Sequence, residues 1–361
     1  MTLRVIEGFE WFPSGGNATQ LFAAAGYYST FNNGIYSAPT TGRFDYGKTF
    51  QYALAPGNLD PNQVIALTDS SDDLNTSGMA VYVDQANSAY VWYTLFDAVT
   101  GAPQLSFYFT EYGVIRIYRG YPWTGTLIGT TSAGAYRDNE WFYFEVQSVT
   151  HATAGTVKLR INTKVVFDGI DLNTKNTANS FVDSYGFGCF RNGGGNSAFI
   201  KFDDFYFCDG QGSINNDFLG NVRVKQQLAI ANGPNIDFAI GGTAPAATNW
   251  QSVLNAALDD TKYVYSGTPG DYDLYDLDPN LNTPLVLGVQ VRAGLRQDDA
   301  TQRIARLMLN TGGTDYVGSV DHYLNQSYTH YRDLWELNPN TGLAWTGTEV
   351  NGMYAGVKVQ S

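Results

Sequence analysis

Residues 140–169, "EWFYFEVQSVTHATAGTVKLRINTKVVFDG", carry the fold decision for this chain. In "WFYFEVQSV", Phe142, Phe144, Val146 and Ser148 share one side. Trp141, Tyr143, Glu145, Gln147 and Val149 share the other. In "TVKLRINTKVVF", Val157, Leu159 and Ile161 alternate with Lys158 and Arg160, the period-two pattern of a half-buried antiparallel strand. "INTKV" supplies the turn into a third strand. Three strands in thirty residues, with no helical spacing between them, set the scale for the whole first half.

Working outward, the same texture repeats. "RVIEGFEWF", "GKTFQYAL", "GMAVYVD", "SAYVWYTLFDA", "QLSFYFTE" and "GVIRIYRG" precede it, and "GFGCFR" and "AFIKFDDFYFCD" follow. At least nine short strands without a convincing helix predict a sandwich or jelly roll. The composition agrees: 25 Tyr, 21 Phe and 39 Gly against 15% charged residues suits pleated sheet and tight turns. Hydrophobic residues at 43% are enough for ordinary cores in a chain of 361.

"KFDDFYFCDGQGSINNDFLGNVRVKQQ", residues 201–227, asks whether Asp203 and Asp204 are half of an active site. Strict alternation sends one aspartate to each side of the strand, so the two would not converge. The stretch then reads as the last strand of one domain running through a small polar joint into the next. Domains are expected at 1–220 and 221–361. In the second half, "NWQSVLNAALDD" has helical spacing with Thr248 or Asn249 as N-cap, and the remainder is again strand-like, a second and smaller β-sandwich.

A net charge of −13 opposes a phosphate backbone, so no nucleic-acid partner is expected. The opening residues lack a basic segment followed by an apolar one, and no run of about 18 apolar residues exists, so neither a secretory signal nor a membrane partner is expected. Cys189 and Cys208 read as buried small side chains, with a bridge between neighbouring strands as the alternative.

Chemistry-bearing motifs are sparse. Glu140 and Glu145 are five apart on opposite faces and do not form a glycosidase pair. "GDYDLYDLD" gathers Asp271, Asp273, Asp276 and Asp278, read as a solvated strand edge rather than a calcium loop. His322 and His330 are separated by a turn, His151 lies in the turn "THATAG", and Gly193–Gly195 read as a loop. No catalytic residue, metal ligand or cofactor is therefore assigned. The binding candidates are Tyr121 and Trp123 in "YRGYPWTG", where a Pro-containing turn exposes two aromatic rings. They read as local packing, a protein interface or a sugar-stacking pair.

Taken together, "MTLRVIEGFEWF", "TGRFDYGKTFQYAL", "EWFYFEVQSVTHATAGTVKLRINTKVVFDG" and "FIKFDDFYFCDGQGSINNDFLGNVRV" resemble the concanavalin A-like (laminin-G-like) sandwich proteins of tailed-phage virions. "NWQSVLNAALDDTKYVYSGTPGDYDLYDL", "VLGVQVRAGLRQDDATQRIARLMLNTGGTDYVG" and "LWELNPNTGLAWTGTEVNGMYAGVKV" resemble the companion domain of the same proteins. The glucanase motif E-x-D-x-E found elsewhere in this fold is missing. The resemblance implies an all-β chain, an N-terminal concanavalin A-like jelly-roll sandwich followed by a second, smaller β-sandwich. It further implies a non-enzymatic virion structural protein, made in the host cytoplasm and placed on the particle surface. The role expected first is capsid decoration or cement, with the major capsid protein or other virion proteins as partners and a homo-oligomer, a trimer for instance, as the assembly. The alternative is a tail-associated adhesion module that binds host-surface glycan. A sandwich that starts at residue 3 leaves no separate N-terminal anchor, which favours decoration.

Overall fold

The computed structural model describes residues 3–10, 28–31, 40–44, 48–53, 62–84, 89–191, 199–215, 217–254 and 258–361. Gly193–Gly195 fall outside the described residues. The chain forms two compact units, the first running to Val224 and the second from Lys225 to Ser361. Both are built almost wholly of strands, so the chain is all-β.

The first unit opens with β1 (Leu3–Glu7), β2 (Tyr28–Phe31), β3 (Thr40–Thr41), β4 (Lys48–Ala53) and β5 (Asn62–Asp72). Next come β6 (Leu74–Asp84), β7 (Ala89–Asp97), β8 (Ala102–Thr110), β9 (Val114–Arg119) and β10 (Thr126–Thr130). It closes with β11 (Trp141–Val149), β12 (Gly155–Ile161), β13 (Lys164–Leu172), β14 (Val182–Arg191) and β15 (Phe199–Asp209). One sheet has the order β13-β12-β11-β6-β15-β4-β3, with β1 also paired to β15; the other has the order β10-β9-β8-β7-β14-β5-β2. All pairings are antiparallel, and neighbours in space are often far apart in sequence, as a jelly roll requires.

The stretch that decided the fold forms β11, β12 and β13. Val157, Leu159 and Ile161 are buried while Lys158 and Arg160 are half-exposed. The hairpin turns at Asn162 and Thr163, both at positive φ (48° and 71°). Asn162 tolerates that region because its side-chain oxygen accepts from the Tyr143 amide at 2.8 Å. Between the sheets the core is aromatic: Tyr93 lies 6.1 Å from Phe107 and 5.6 Å from Phe187, and Phe109 lies 5.3 Å from Phe144. Such stacked, tilted and edge-on ring pairs add to the burial itself.

Cys208 is buried on β15, whereas Cys189 lies on β14 of the other sheet, so the two are not cross-strand neighbours. The alternative of a bridge between neighbouring strands is set aside by this topology.

The second unit contains β16 (Ala229–Ile236), β17 (Ala239–Gly241), the short helix α1 (Asn249–Ser252), β18 (Tyr263–Tyr265) and β19 (Tyr272–Leu277). Then follow β20 (Val289–Leu295), β21 (Ile304–Thr311), β22 (Thr314–Val317), β23 (His322–Tyr323), β24 (Thr329–Trp335), α2 (Gly347–Asn351) and β25 (Tyr354–Val359). A sheet ordered β16-β19-β25-β21-β22, with β23 joined to β21, is accompanied by the ribbons β17-β18 and β20-β24. Its core gathers Leu277, Val289, Leu309, Trp345, Val350 and Met353. The Trp345 indole N–H donates to the Trp335 carbonyl at 3.1 Å, which satisfies the one polar atom of that ring.

Candidate functional site

The candidate surface of the first unit is the outer face of the sheet that contains β7, β8 and β9. Tyr93, Phe107, Ile115 and Ile117 face the core, so alternation turns Trp92, Thr94, Tyr108, Arg116 and Tyr118 outward. Register aligns Trp92 with Tyr108, and Tyr108 with Arg116, in one row across three strands. The next row holds Thr94, Ser106 and Tyr118, with the two hydroxyls 3.2 Å apart.

The β9–β10 connection folds beside this face. Gly120 takes φ +88°, and the amides of Thr124 and Gly125 both donate to the Tyr121 carbonyl at 3.3 and 2.7 Å. The tight turn sets Tyr121 and Trp123 side by side, with centroids 4.8 Å apart and planes 16° from parallel. Trp123 meets Trp92 edge-on at 5.0 Å, and Tyr121 meets Phe96 at 6.2 Å. A side chain at Gly188 would intrude on the Trp92 indole, so glycine there lets the ring lie flat on β14. Trp92 is buried, Tyr108 and Tyr118 are half-buried, Arg116 is exposed, and Trp123 keeps 47% of its surface in solvent. Of the two residues singled out from sequence, both lie in this cluster; Trp92, Tyr108 and Arg116 were not singled out. Their signal was present as outward parity in "SAYVWYTLFDA", "QLSFYFTE" and "GVIRIYRG".

Asp203 and Asp204 do not obey simple alternation. Register shifts between Asp203 and Tyr206, and Asp204 adopts φ +50°, a bulge that adds one residue to β15. Phe202 and Phe205 therefore both pack on Phe187 in the core, at 4.1 and 5.7 Å. Both aspartates meet the same residue instead of pointing to opposite sides. Asp203 accepts from the Arg43 amide at 2.9 Å, and Asp204 from the Arg43 guanidinium at 3.4 Å.

Around this pair a strap, residues 217–224, is tied down. The Val224 amide donates to Asp204 at 2.7 Å, and the Gly220 amide donates to Glu145 at 2.8 Å. Glu145 also accepts from the Tyr206 hydroxyl at 2.6 Å, and that hydroxyl accepts from the Leu219 amide at 3.1 Å. Arg43 donates to Asn221 at 2.6 Å, and the Arg160 guanidinium lies 3.9 Å from the Phe218 ring centroid. Burial, then the Asp204 charge, pushes the Asp203 carboxyl up to about 8. Burial pushes Asp204 up to about 6, against the opposing effects of the Val224 amide and Arg43. These carboxylates fasten backbone, and their geometry is that of a structural joint.

The other acidic and histidine candidates also resolve into internal bonds. β19 is an inner strand, and Asp273 on it is fully buried, which corrects the expectation of a solvated edge. Asp273 accepts from the Asp237 and Phe238 amides, Asn249 and the Tyr275 hydroxyl, all within 2.6–2.9 Å. His322 pairs with Asp333 at 2.9 Å, not with His330, which lies on β24. The His151 ring accepts from the amides of Thr153 and Ala154 at 3.1 and 2.8 Å and closes its own turn. Among the described residues no group of three or more His, Cys, Asp or Glu side chains is placed to hold a metal ion.

No family model matches the chain. No curated protein matches it either. Among solved structures, the alginate lyase Aly36B is similar at 13% identity over 56% of this chain and 95% of its own, with a TM-score of 0.37. The carbohydrate-binding module CBM66 from Bacillus subtilis is similar at 13% identity over 55% of this chain and 99% of its own, with a TM-score of 0.34. The CBM2 module of the evolved Dit of Lactobacillus casei BL23 phage J-1 is similar at 15% identity over 58% of this chain and 96% of its own, with a TM-score of 0.33.

Proposed function

We propose that this chain is a non-enzymatic structural protein of a tailed-phage particle, made in the host cytoplasm and mounted on the virion surface. Its first role is capsid decoration, in which it docks as a homo-oligomer on the major capsid protein or a neighbouring virion protein. The observation that carries this reading is the Tyr121–Trp123 stack, a stiff aromatic pair seated on a buried Trp92 with half of Trp123 in water. Exposed, preorganised aromatic rings of this kind anchor protein interfaces. The buried carboxylates best grouped for acid–base work, Asp203, Asp204 and Glu145, are occupied in holding the strap, which supports a binding role over a hydrolytic one.

A second reading is a tail-associated adhesion module for host-surface glycan. It is favoured by the same Trp123 ring, which keeps about half of its surface in solvent, since sugar faces stack on Trp and Tyr. Immunogold labelling of intact virions with antibody against this chain separates the two. Label across the head supports decoration; label confined to the tail tip supports adhesion; particles without label would remove both.

A further inference from the structure

β13 ends its sheet, so among the described residues its outer edge pairs with no strand, and its nine residues present backbone donors and acceptors to solvent there. Register fixes which way its side chains point. Phe167 and Gly169 lie opposite the buried Leu159 and Val157 and face the core, where the Phe167 ring packs against Gly129 of β10. Val165 and Asp168 lie opposite the half-exposed Arg160 and Lys158 and face outward, as does Ile170, which follows Gly169. Val166 is the extra residue of a bulge between Val165 and Phe167. The bulge keeps Val165 and Ile170 on one side in spite of their odd separation.

The exposed residues of this edge are complementary to themselves. Val165 keeps 42% and Ile170 70% of its surface in solvent. Lys164 and Asp171, near opposite ends, are exposed, and neither joins an ion pair among the described residues. A two-fold axis at Asp168 lays a second β13 antiparallel to the first and sets Phe167 opposite the Gly169 of the second copy. Past the bulge, Val165 meets Ile170 and Lys164 meets Asp171, and the symmetry makes each contact twice. The Asp168 carboxylates nearest the axis are each held by the Lys158 of their own copy at 2.9 Å, which offsets their mutual repulsion.

From this self-complementarity we infer that the edge of β13 is the surface by which two copies of this chain pair, continuing one sheet of the first unit across a two-fold axis. The inference deepens the homo-oligomer of the proposed function, on which it rests for the existence of an assembly, and selects a pair over a trimer. Val165 and Ile170 supply the attraction by leaving water. The ion pairs supply direction, because a parallel pairing would set Lys164 against Lys164.

Sedimentation of the full chain over a concentration series tests the assembly, and hydrogen exchange tests the edge. The chain should sediment as a reversible dimer, and the amides of residues 164–172 should exchange more slowly as concentration rises. Ile170→Lys alters a side chain that is mostly in water, so it should leave the circular dichroism spectrum unchanged while weakening the dimer about a hundredfold or more. Lys164→Asp should weaken it about tenfold, and adding Asp171→Lys should restore most of the loss. A chain that stays monomeric throughout would overturn the inference together with the homo-oligomer. A trimer, or a dimer indifferent to Ile170→Lys, would overturn the β13 contact and leave the homo-oligomer standing. Failure of Asp171→Lys to rescue Lys164→Asp would overturn the antiparallel register, and the inference with it.

Discussion

Replacing Asp203 by Asn should flatten the pH dependence of the first unit's stability. Both carboxyls of the Asp203–Asp204 pair are raised above their ordinary value of 3.8, chiefly by burial, to about 8 and about 6. The folded chain therefore holds protons that the unfolded chain has released, between about pH 4 and pH 8. Stability from these groups is present at the acid end of that window. It drains as pH rises and is gone above about 8. Between pH 6 and 8 the folded pair therefore holds about one proton more than the unfolded chain. One excess proton corresponds to about 1.4 kcal/mol per pH unit, so stability should fall by about 2 kcal/mol between pH 6.0 and 7.5. Asn keeps the shape and removes the proton. It offers one acceptor oxygen where the amides of Arg43 and Asp204 use both carboxylate oxygens, so an offset of about 1 kcal/mol is expected at low pH. The slope is independent of that offset. Urea titrations at four pH values, followed by hydrogen exchange of peptides from β6 and β15, measure it. A variant with the same slope as the parent would refute the account of the pair.

Gly188→Ala drives a methyl group into the Trp92 indole and should cost about 1–3 kcal/mol, read as a lower urea midpoint with disturbed near-ultraviolet tryptophan circular dichroism. Trp345→Ala empties the centre of the second unit's core and should destabilise it by about 3–5 kcal/mol in the same titration, detected by exchange in β21 and β25. Thr346 caps α2 by accepting from the Glu349 amide at 3.2 Å while Glu349 reaches back to the Thr346 amide at 2.8 Å. Thr346→Ala should therefore cost about 1 kcal/mol, and Thr346→Ser should recover most of it in thermal unfolding.

The strands were legible because burial and alternation coincide: β12 reads in sequence as it is built, with Val157, Leu159 and Ile161 inward. The bulge at Asp204 was not, because a single residue at positive φ leaves no mark in a pattern and reverses the parity of everything before it. The place of Asp273 was hidden for another reason. Its strand is interior only because β16 and β25 flank it, and pairing order between distant segments is not written in local periodicity. The aromatic cluster was half legible. A Pro-containing turn revealed Tyr121 and Trp123, but Trp92 was not singled out, and its outward parity matters only once the turn folds over it.

The pairing of β15 has a consequence for synthesis. This strand, the last of the first unit, is bonded to β1, β4 and β6, all of them made much earlier. The strap that follows it, through Val224, adds the final backbone bonds to Asp204 and Glu145. At about 5–20 residues per second, the chain therefore waits roughly 10–45 s on the ribosome before the first unit can finish folding. From the synthesis of β6 until β15 emerges, the edge of β6, rich in buried apolar residues, has no partner on one side. Slowing translation before residue 199 should lengthen this exposure and raise aggregation, whereas a pause after residue 224 should not.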